Sequence, residues 1–381
     1  MIKTTVRELG RVVTGHTPPT TKKEYYGDKY LFLKPTDMVI GQKHAYTTEE
    51  GYSELAATKY KSSLIPKGST CVVCIGTLGE KMAMAHCDLF TNQSVNSIIP
   101  NDNYDPDYVY YLLKHNLHKV KALNKGTASG REFVSKTTFL DLEIEVIDNL
   151  NIQRKVSSIL SSFDDLIENN RKQIKLLEEA AQRLYKEWFV DLHFPGWEST
   201  PIHDGIPDGW KKDKVGNLIQ KTDRTLQIKA SDYLLEGSIP IIDQSRDFIA
   251  GYTDNQAALV NIGKPVIVFG DHTRILKYII FPFAKGADGT QLIVSNNERM
   301  PQPLLYCSLI NIDLSNYHYA RHFKYLKEKE ILIPSLEVAR EFERLVSMLF
   351  KQIQCLRDKT ILSLRARDRL LPKLMTGEIE V

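Results

Sequence analysis

A long-range internal repeat constrains this sequence more than any other feature. Segment 145–160, EVIDNLNIQRKVSSIL, aligns with segment 331–346, ILIPSLEVAREFERLV, and Leu150 then falls on Leu336. The same separation of 186 positions brings RLYKEWF over RLLPKLM farther along the chain. Because one offset holds over about forty residues without a gap, the chain is predicted to contain two copies of one structural plan.

The beginnings of the two copies also correspond, but at a different separation. Val6 falls on Val215 and Leu9 on Leu218, at an offset of 209 positions. The second copy is therefore 23 residues shorter than the first between its start and its repeated helix. The helical parts keep their length while the globular parts differ, which indicates a rigid frame that carries two divergent modules.

Each copy opens with short apolar runs that are broken by Gly, Pro and Asn, a pattern typical of β-strands. The runs are KYLFLKP, TCVVCIG and VNSIIP in the first copy and SIPIID, KPVIVFG, KYIIFPF and TQLIVS in the second. A long helix follows in each copy. We expect the first from about Ile152 to Val190 and the second from about Leu336 to Leu371.

The first predicted helix carries a heptad seam, in which apolar residues alternate at steps of four and three. At 1.5 Å per residue this seam spans roughly 50 Å. Asn170 interrupts it, either as a polar position near solvent or as a residue that fixes the register of a coiled coil. The seam consists of Val156, Leu160, Phe163, Ile167, Asn170, Ile174, Leu177, Ala181, Leu184 and Trp188.

The second helix begins with the same seam but continues less regularly. Its middle has Thr360, Ser363 and Arg367 at seam positions, so Ile361 and Leu364 are expected to take over by a local shift of the buried face. Pro372 should then end or bend the helix. The regular part of the seam consists of Phe342, Val346, Leu349, Ile353 and Leu356.

Two such helices cannot bury their apolar stripes alone, so they should pack on each other as an antiparallel pair. The predicted fold is α+β: two strand-rich globular domains separated by two long antiparallel coiled-coil helices, with a pseudo-twofold internal repeat. The domain boundaries follow as 1–150 for the first globular domain, 151–205 for the central helix and linker, 206–333 for the second globular domain, and 334–381 for the C-terminal helix and tail.

Composition limits the class of protein without selecting a function. A net charge of +3 and a pI of about 8.4 permit nucleic-acid binding but do not argue for it. We expect a cytoplasmic protein, because the sequence has no signal peptide and no apolar run long enough to cross a membrane. Cys71 and Cys74 form a C-x-x-C, but their apolar run predicts a buried strand rather than a zinc or redox site.

Catalytic motifs are not evident in the sequence. It has no G-x-x-x-x-G-K-[ST] phosphate loop and no [DNS]-P-P-[FYW] methyltransferase motif, and Pro18-Pro19 lacks the flanking residues of the latter. The most enzyme-like cluster is GDHTR at 270–274. We favour ligand contact or loop ordering over catalysis for this cluster, because it follows the predicted strand PVIVF.

Five segments together resemble the specificity (S) subunits of Type I restriction–modification systems. VTGHTPPTTKKEYYGDKYLFLKPTDM and IGTLGEKMAMAHCDLFTNQSVNSIIP look like the opening and central strands of a target-recognition domain, and VFGDHTRILKYIIFPFAKGADGTQLI is similar to another branch of such domains. FDDLIENNRKQIKLLEEAAQRLYKEWFVDLHFPGWE resembles the central conserved helix, and LLPKLMTGEIEV the usual C-terminal ending. The resemblance covers essentially the whole chain, in the expected order.

The resemblance implies a non-catalytic, DNA-binding subunit of a DNA methylation complex. Each target-recognition domain would read one half of a bipartite gapped site in double-stranded DNA, and the helices would set the gap. Two modification subunits, which are N6-adenine methyltransferases, would dock on the helices, and restriction or translocase subunits would join them. S-adenosylmethionine and ATP would bind to those partners, so no cofactor and no metal are expected in this chain.

Candidate DNA contacts are basic and amide side chains on predicted loops, since such groups bind phosphates and base edges. For each of them, ordinary solvated surface charge is at least as good an explanation. The candidates are Lys22, Lys23, Lys34, Lys125, Ser129 and Arg131 in the first domain and Arg224, Gln244, Arg246, His272, Arg274, Arg321 and Lys324 in the second.

Three alternatives remain at this stage. A fused nuclease or methyltransferase would need a catalytic motif, for which the chain has no spare segment. A coiled-coil scaffold without a DNA role explains the helices but not the two divergent strand-rich modules. An orphan or degenerate specificity subunit without a working methyltransferase partner is compatible with the sequence.

Overall fold

The computed structural model describes residues 1–124, 126, 132–222, 225–286, 289–316 and 321–381. They form two compact units, one of Met1–Arg171 with Asp358–Val381 and the other of Lys172–Arg357. Each unit therefore contains one part of each long helix. The four domain boundaries drawn from the sequence stay a prediction.

The first unit contains short strands followed by helices. Its elements are β1 (Ile2–Thr5), α1 (Val6–Leu9), β2 (Gly10–Thr14), β3 (Tyr26–Leu33), β4 (Gly51–Tyr52), α2 (Glu54–Lys59), β5 (Thr70–Val73), β6 (Met82–Met84), β7 (Leu89–Thr91), β8 (Val95–Pro100), α3 (Pro106–His115), α4 (Leu117–Ala122), α5 (Lys136–Leu140), β9 (Glu143–Val146) and the beginning of α6 (Leu150–Tyr185). The strands predicted from KYLFLKP, TCVVCIG and VNSIIP are present as β3, β5 and β8.

The second unit begins within α6, at Lys172, and a π-helical turn, Lys186–Val190, continues that helix. Its elements are β10 (Ile202–His203), β11 (Ile206–Pro207), β12 (Lys211–Lys214), β13 (Gln227–Ile228), β14 (Ile239–Ile242), β15 (Gly251–Thr253), β16 (Leu259–Val260), β17 (Val266–Gly270), β18 (Leu276–Ile279), β19 (Phe283–Gly286), β20 (Thr290–Ile293), α7 (Gln302–Ile310), α8 (His322–Glu328), β21 (Glu330–Ile333) and the beginning of α9 (Leu336–Met375). All four apolar runs predicted as strands in this copy contain one.

The sheets of the two units have the same topology. In the first unit one sheet has the order β2-β8-β5-β6; in the second unit the order is β20-β17-β18, and a bridge from Ile219 to Ser295 stands in the place of β2. The other sheet contains an antiparallel β3–β4 pair with β7 parallel to β3. In the second unit β14–β15 is antiparallel and β19 lies parallel to β14. The predicted repeat and α+β class are confirmed.

An antiparallel strand pair connects each globular part to its helices. Ile2 of β1 pairs with Val146 of β9, and Lys211 of β12 pairs with Ile333 of β21. The second strand of each pair leads within a few residues into a long helix. Because the alternate residues Ile144 and Val146 are buried while Glu143 and Glu145 are exposed, this pair covers one side of the core.

Within each unit the parts of α6 and α9 pack antiparallel. In the first unit Val156 and Leu160, early in α6, share a core with Leu371, Leu374 and Met375, late in α9. In the second unit Glu178 bonds to Arg357, while Tyr185, later in α6, contacts Phe342, earlier in α9. Residues early in one helix thus face residues late in the other, which is the antiparallel arrangement that the sequence predicts.

Most of the predicted seam lies in these cores. Asn170 is only 2% exposed, so its interpretation as a polar residue near solvent is wrong. The buried seam residues are Val156, Leu160, Ile167, Asn170, Ala181 and Trp188 on the first helix and Phe342, Val346, Ile353 and Leu356 on the second. The partly buried ones are Phe163, Ile174, Leu177, Leu184 and Leu349.

The expected shift of the buried face in the second helix is wrong, and so is the expectation that Pro372 ends the helix; a bend at Pro372 stays a prediction. Ile361 and Leu364 do not replace the polar seam positions, because Thr360, Ser363 and Arg367 are themselves buried. Pro372 does not end the helix, which continues to Met375. Proline removes one backbone N–H, and the helix tolerates this loss while the neighbouring Leu371 and Leu374 remain in the apolar core of the first unit.

Arg367 is held by a carboxylate from the facing helix. Its side chain and that of Asp164 are each 1% exposed, and they form a charge-assisted hydrogen bond. Asp164 also accepts a hydrogen bond from the Tyr111 hydroxyl at 2.5 Å, and Arg367 donates to the Gly41 carbonyl at 3.1 Å and to Asp368. Because several groups satisfy both charges, the pair is tolerated in the core.

The first prediction concerns this pair. Arg367→Leu or Asp164→Leu alone leaves an uncompensated buried charge and should lower the free energy of unfolding by about 3–5 kcal/mol. The double variant should lose less than either single variant, because neither charge remains. Urea unfolding of the four proteins measures the coupling. The exposed Glu341–Arg344 pair is the control and should couple by less than about 1 kcal/mol; equal coupling in the two cycles would contradict the prediction.

Lys114 lies beside this pair and has no hydrogen-bond partner for its ammonium group within the described residues. Burial, followed by repulsion from Arg367, lowers the pKa of Lys114 to about 8. Asp368 lies 3.9 Å away and Asp164 also attracts the ammonium group, while Lys43 repels it. The attraction does not compensate for the loss of hydration.

The second prediction follows from the sign of this shift. Between the folded pKa of about 8 and the ordinary value of about 10.4, the unfolded chain binds more protons, so the contribution of Lys114 to stability rises with pH. Lys114→Met should therefore stabilise the protein relative to wild type more at pH 7 than at pH 10, by about 2 kcal/mol. Unfolding at both pH values measures this difference. The exposed Lys155→Met is the control, and a pH-independent effect of Lys114→Met would refute the assignment.

Candidate nucleic-acid interface

A tight loop joins β17 to β18 in the second unit and exposes the GDHTR cluster. His272, Thr273 and Arg274 are exposed, whereas Asp271 is only 4% exposed. The Arg274 amide donates to the Gly270 carbonyl at 2.8 Å, and Arg274 has a φ of 63°. A left-handed conformation is uncommon for arginine, so the surrounding contacts must hold the loop in this shape.

Gln244, directly after β14, supports the loop from one side. Its side-chain carbonyl accepts from the His272 amide at 3.2 Å, and its backbone carbonyl accepts from the Thr273 hydroxyl at 2.7 Å. A Cβ on Gly289 would lie 2.7 Å from the His272 ring and 2.9 Å from the Gln244 amide. Only glycine allows this close approach of three chain segments.

Asp271 ties the loop to the beginning of α8. Its carboxylate accepts from the Phe323 amide at 2.7 Å, and its backbone carbonyl accepts from the His322 amide at 2.9 Å and lies 2.8 Å from His322 Nδ1. The Asp271 amide donates to the Gly289 carbonyl at 2.7 Å. Arg321 and Lys324 are both exposed, and each is the sequence neighbour of an anchored residue, His322 or Phe323. The structure thus gathers several of the sequence candidates of this domain around one loop.

Arg246 follows Gln244 by two residues in the second unit. It lines a cavity of about 530 Å³ together with Lys175, Glu178 and Gln182 of α6. In this cavity the Arg357 guanidinium stacks 3.8 Å from the Phe248 ring centroid and donates to Glu178 at 2.8 Å. Arg246 therefore lies at a cavity beside α6, which Ile275, the residue after the GDHTR cluster, also lines.

The equivalent hairpin of the first unit, β5–β6, has a different sequence but a similar anchor. The Gly76 amide donates to the Glu132 carbonyl at 3.0 Å, and the Leu78 amide donates to the Glu132 carboxylate at 3.1 Å. The Val134 amide then donates to the Cys74 carbonyl at 2.9 Å. Gly76 and Thr77 are exposed at the tip of this loop, and Leu78 is buried.

A lysine at the second strand supports each hairpin: Lys81 is partly buried and precedes β6, and Lys277 is buried within β18. Lys81 donates to the Pro35 carbonyl at 2.8 Å, and Lys277 donates to the Asp247 carbonyl and lies 3.7 Å from the Asp243 carboxylate. Burial lowers the pKa of Lys277, while Asp243 opposes that shift. Both lysines cross to the segment after the parallel strand, so they belong to the scaffold behind the loops.

The basic candidates of the first domain are less well placed for contact with DNA. Lys34 is only 20% exposed and pairs with Glu49 and Glu50. Burial alone would lower its pKa, but hydrogen bonding to Glu50 raises it. Lys22 is exposed and lies 3.7 Å from Glu24, and Lys23 is exposed. Four further candidates, Lys125, Ser129, Arg131 and Arg224, lie outside the described residues.

The C-x-x-C cysteines lie in the interior of the first unit. Burial raises the pKa of Cys71 to about 12 and that of Cys74 to about 11, so both thiols are protonated at neutral pH. Within the described part of the chain, no group of three or more His, Cys, Asp or Glu side chains is arranged to hold a metal ion. In the same part, no helix is long and apolar enough for a membrane span.

Two residues with a clear structural role at the loops were not candidate contacts in the sequence. Asp271 stood in a cluster that the sequence singles out, but its neighbours His272 and Arg274 looked like the more direct contacts. Glu132 had no sequence signal, because a carboxylate that bonds backbone amides 54 positions away follows no local pattern.

Comparison with known proteins shows a clear resemblance to one family. Residues 2–179 match the family model described as "Type I restriction modification DNA specificity domain". The Type I restriction enzyme MjaIX specificity subunit of Methanocaldococcus jannaschii is 28% identical over 408 residues, which covers 99% of this chain and 93% of that relative. The chain is similar to the Type I specificity subunits over nearly its whole length.

Two further comparisons agree with this assignment. The HindI specificity subunit of Haemophilus influenzae is 33% identical over 170 residues, or 43% of this chain and 36% of that subunit. The crystal structure of a Type I system S subunit from M. genitalium has the same fold, with a TM-score of 0.62 at 18% identity over 98% of this chain and 96% of that one. These relatives are named as specificity subunits.

The third prediction separates two exposed arginines of the second unit. Arg321→Gln should weaken DNA binding several-fold across sequences and reduce the slope of log K against log salt by about 1, because one phosphate contact is lost. Fluorescence anisotropy over a salt series measures both. Arg246→Gln is the matched control and should leave the slope unchanged. Equal changes for the two variants would show that the loop next to α8 is not the DNA-facing part.

Proposed function

We propose that this specificity subunit is a non-catalytic reader of double-stranded DNA, in which each recognition domain reads one half of a bipartite gapped site. The observation that carries the proposal is the repetition of one sheet topology with two unrelated hairpin loops. A shared scaffold with different loop tips suits two different half-sites. One chain replaces the two protomers of a dimeric reader, so the site need not be palindromic.

The helices are proposed to set the gap and to dock the partners. A pair of amphipathic helices of 36 and 40 residues makes a stiff spacer, because their seam is buried against each other within each unit. Two modification subunits that methylate adenine at N6 would bind to the helices, and restriction or translocase subunits would complete the complex. S-adenosylmethionine and ATP would bind to those partners, in the cytoplasm.

Part of the exposed helix surface is suited to such docking and part is not. Lys172, Lys175 and Glu179 are solvated or only partly covered. Arg171 is partly buried, and this burial together with repulsion from Arg367 lowers its pKa. Glu178 is bonded to Arg357. Partner contact is therefore better supported for Lys172, Lys175 and Glu179 than for Arg171 and Glu178.

A scaffold without a DNA role is the weaker alternative. It would require no ordered loop at the end of each central hairpin, yet both loops are fixed by several hydrogen bonds and expose polar tips. An orphan subunit without a working methyltransferase partner would have the same structure, so genome methylation distinguishes it from an active subunit.

The fourth prediction is that deletion of this gene removes one gapped N6-methyladenine motif from the genome of the host. Sequencing that detects methylated adenine, with the gene intact and deleted, measures this loss and gives both half-sites. Replacement of residues 1–150 by another recognition domain should change one half and leave the other half and the gap unchanged. If no motif disappears although an active modification subunit is expressed, the proposed function is wrong.

A further inference from the structure

The two recognition modules hold their central hairpin loops with the same kind of contact. In each module, the loop after the central strand β5 or β17 is joined to the segment at α5 or α8 by a carboxylate that accepts a backbone N–H. The modules have little sequence in common here, so the shared contact becomes visible only through the matching topology.

In the second module the carboxylate lies on the loop itself. Asp271 accepts the Phe323 N–H, which is one of the first amides of α8 and has no partner within that helix. The positive end of the helix adds to the attraction. Asp271 is 4% exposed, so water cannot replace it at this point without a rearrangement of the loop.

In the first module the carboxylate lies on the opposite side of the contact. Glu132, four residues before α5, accepts the Leu78 N–H of the loop, while its own carbonyl accepts the Gly76 N–H. Leu78 is buried directly beneath the exposed Thr77. The carboxylate thus lies on the loop in the second module and on the neighbouring segment in the first. In both modules the hydrogen bond joins the loop to the corresponding segment.

We infer that Asp271 and Glu132 are positioning residues for DNA reading, one in each module, which hold the hairpin tip in the conformation that meets its half-site. The tips that they hold are His272–Arg274 in the second module and Gly76–Thr77 in the first. This inference rests on the proposed DNA-reading function. Neither carboxylate touches DNA in this scheme; each acts through the loop.

Loss of either carboxylate removes one anchor from one loop and leaves the other loop unchanged. A loop that has lost this anchor samples more conformations, so binding a correct half-site costs more ordering entropy and discrimination against wrong bases falls. From the strength of a hydrogen bond to a charged group, the preference for the correct half-site should fall by about tenfold. The half-site read by the other module should keep its full preference.

The test uses the full complex of this chain with its modification subunits and a DNA library in which each half-site is randomised in turn. Methylated molecules are recovered and sequenced for wild type, Asp271→Ala and Glu132→Ala. We expect Asp271→Ala to relax only the half-site of the second module and Glu132→Ala only that of the first. The two variants are therefore matched controls for each other.

Conservative variants test the hydrogen bond itself. Asp271→Asn and Glu132→Gln keep a side-chain oxygen that can accept the same N–H, so they should restore most of the lost preference. The readout compares two half-sites within one preparation and does not depend on how much complex is folded. A general loss of stability would instead lower total methylation without a selective loss of sequence preference at one half-site.

The outcomes separate this inference from the function on which it rests. If the wild-type complex selects no gapped site, the proposed function fails. If wild type selects a gapped site but each alanine variant keeps both halves at full preference, or relaxes both equally, the positioning role of the two carboxylates is overturned.

Discussion

The antiparallel pairing of α6 and α9 is the constraint on which the rest of the structure depends. Each helix carries an apolar stripe that it cannot bury alone, and within each unit the stripe is covered by the helix of the other repeat. As a consequence, the first unit includes the last 24 residues of the chain, Asp358–Val381. Its core is completed only when Leu371, Leu374 and Met375 have been synthesised and packed.

The seam is not equivalent in the two units, although the helices are repeats. At the offset of 186 positions, Asp164 corresponds to Phe350 and Arg367 to Ala181. Phe350 packs 4.4 Å from the Tyr278 ring, in an apolar core that also contains Ala181. The first unit therefore has a buried, fully bonded ion pair where the second has an aromatic cluster. A charged layer of this kind tolerates fewer alternative pairings than an apolar one, because any mispairing leaves a charge without a partner.

The globular modules show the opposite relation, with a common scaffold and divergent tips. Strand order and the antiparallel pairs β1–β9 and β12–β21 are kept. Small glycines permit the close contacts at the tips, as at Gly289 beside His272. The residues exposed there share no pattern: His272, Thr273 and Arg274 in one module, Gly76 and Thr77 in the other. Under the proposed function, this division allows the half-site specificity to change without disturbing the frame.

The sequence by itself determined the repeat, the α+β class, the strand-rich modules and the long helices, because these depend on the periodicity of apolar residues along the chain. It also showed the resemblance to one family, through motifs that extend over the whole length. Only the tertiary structure decided that Asn170 and Arg367 are buried, that helix α9 passes Pro372, and that Lys34 is neutralised by Glu49 and Glu50. Only there did Asp271 and Glu132 emerge as anchors of the loops. The physical reason is that burial of a polar side chain depends on a partner distant in sequence, and no local pattern records where that partner lies.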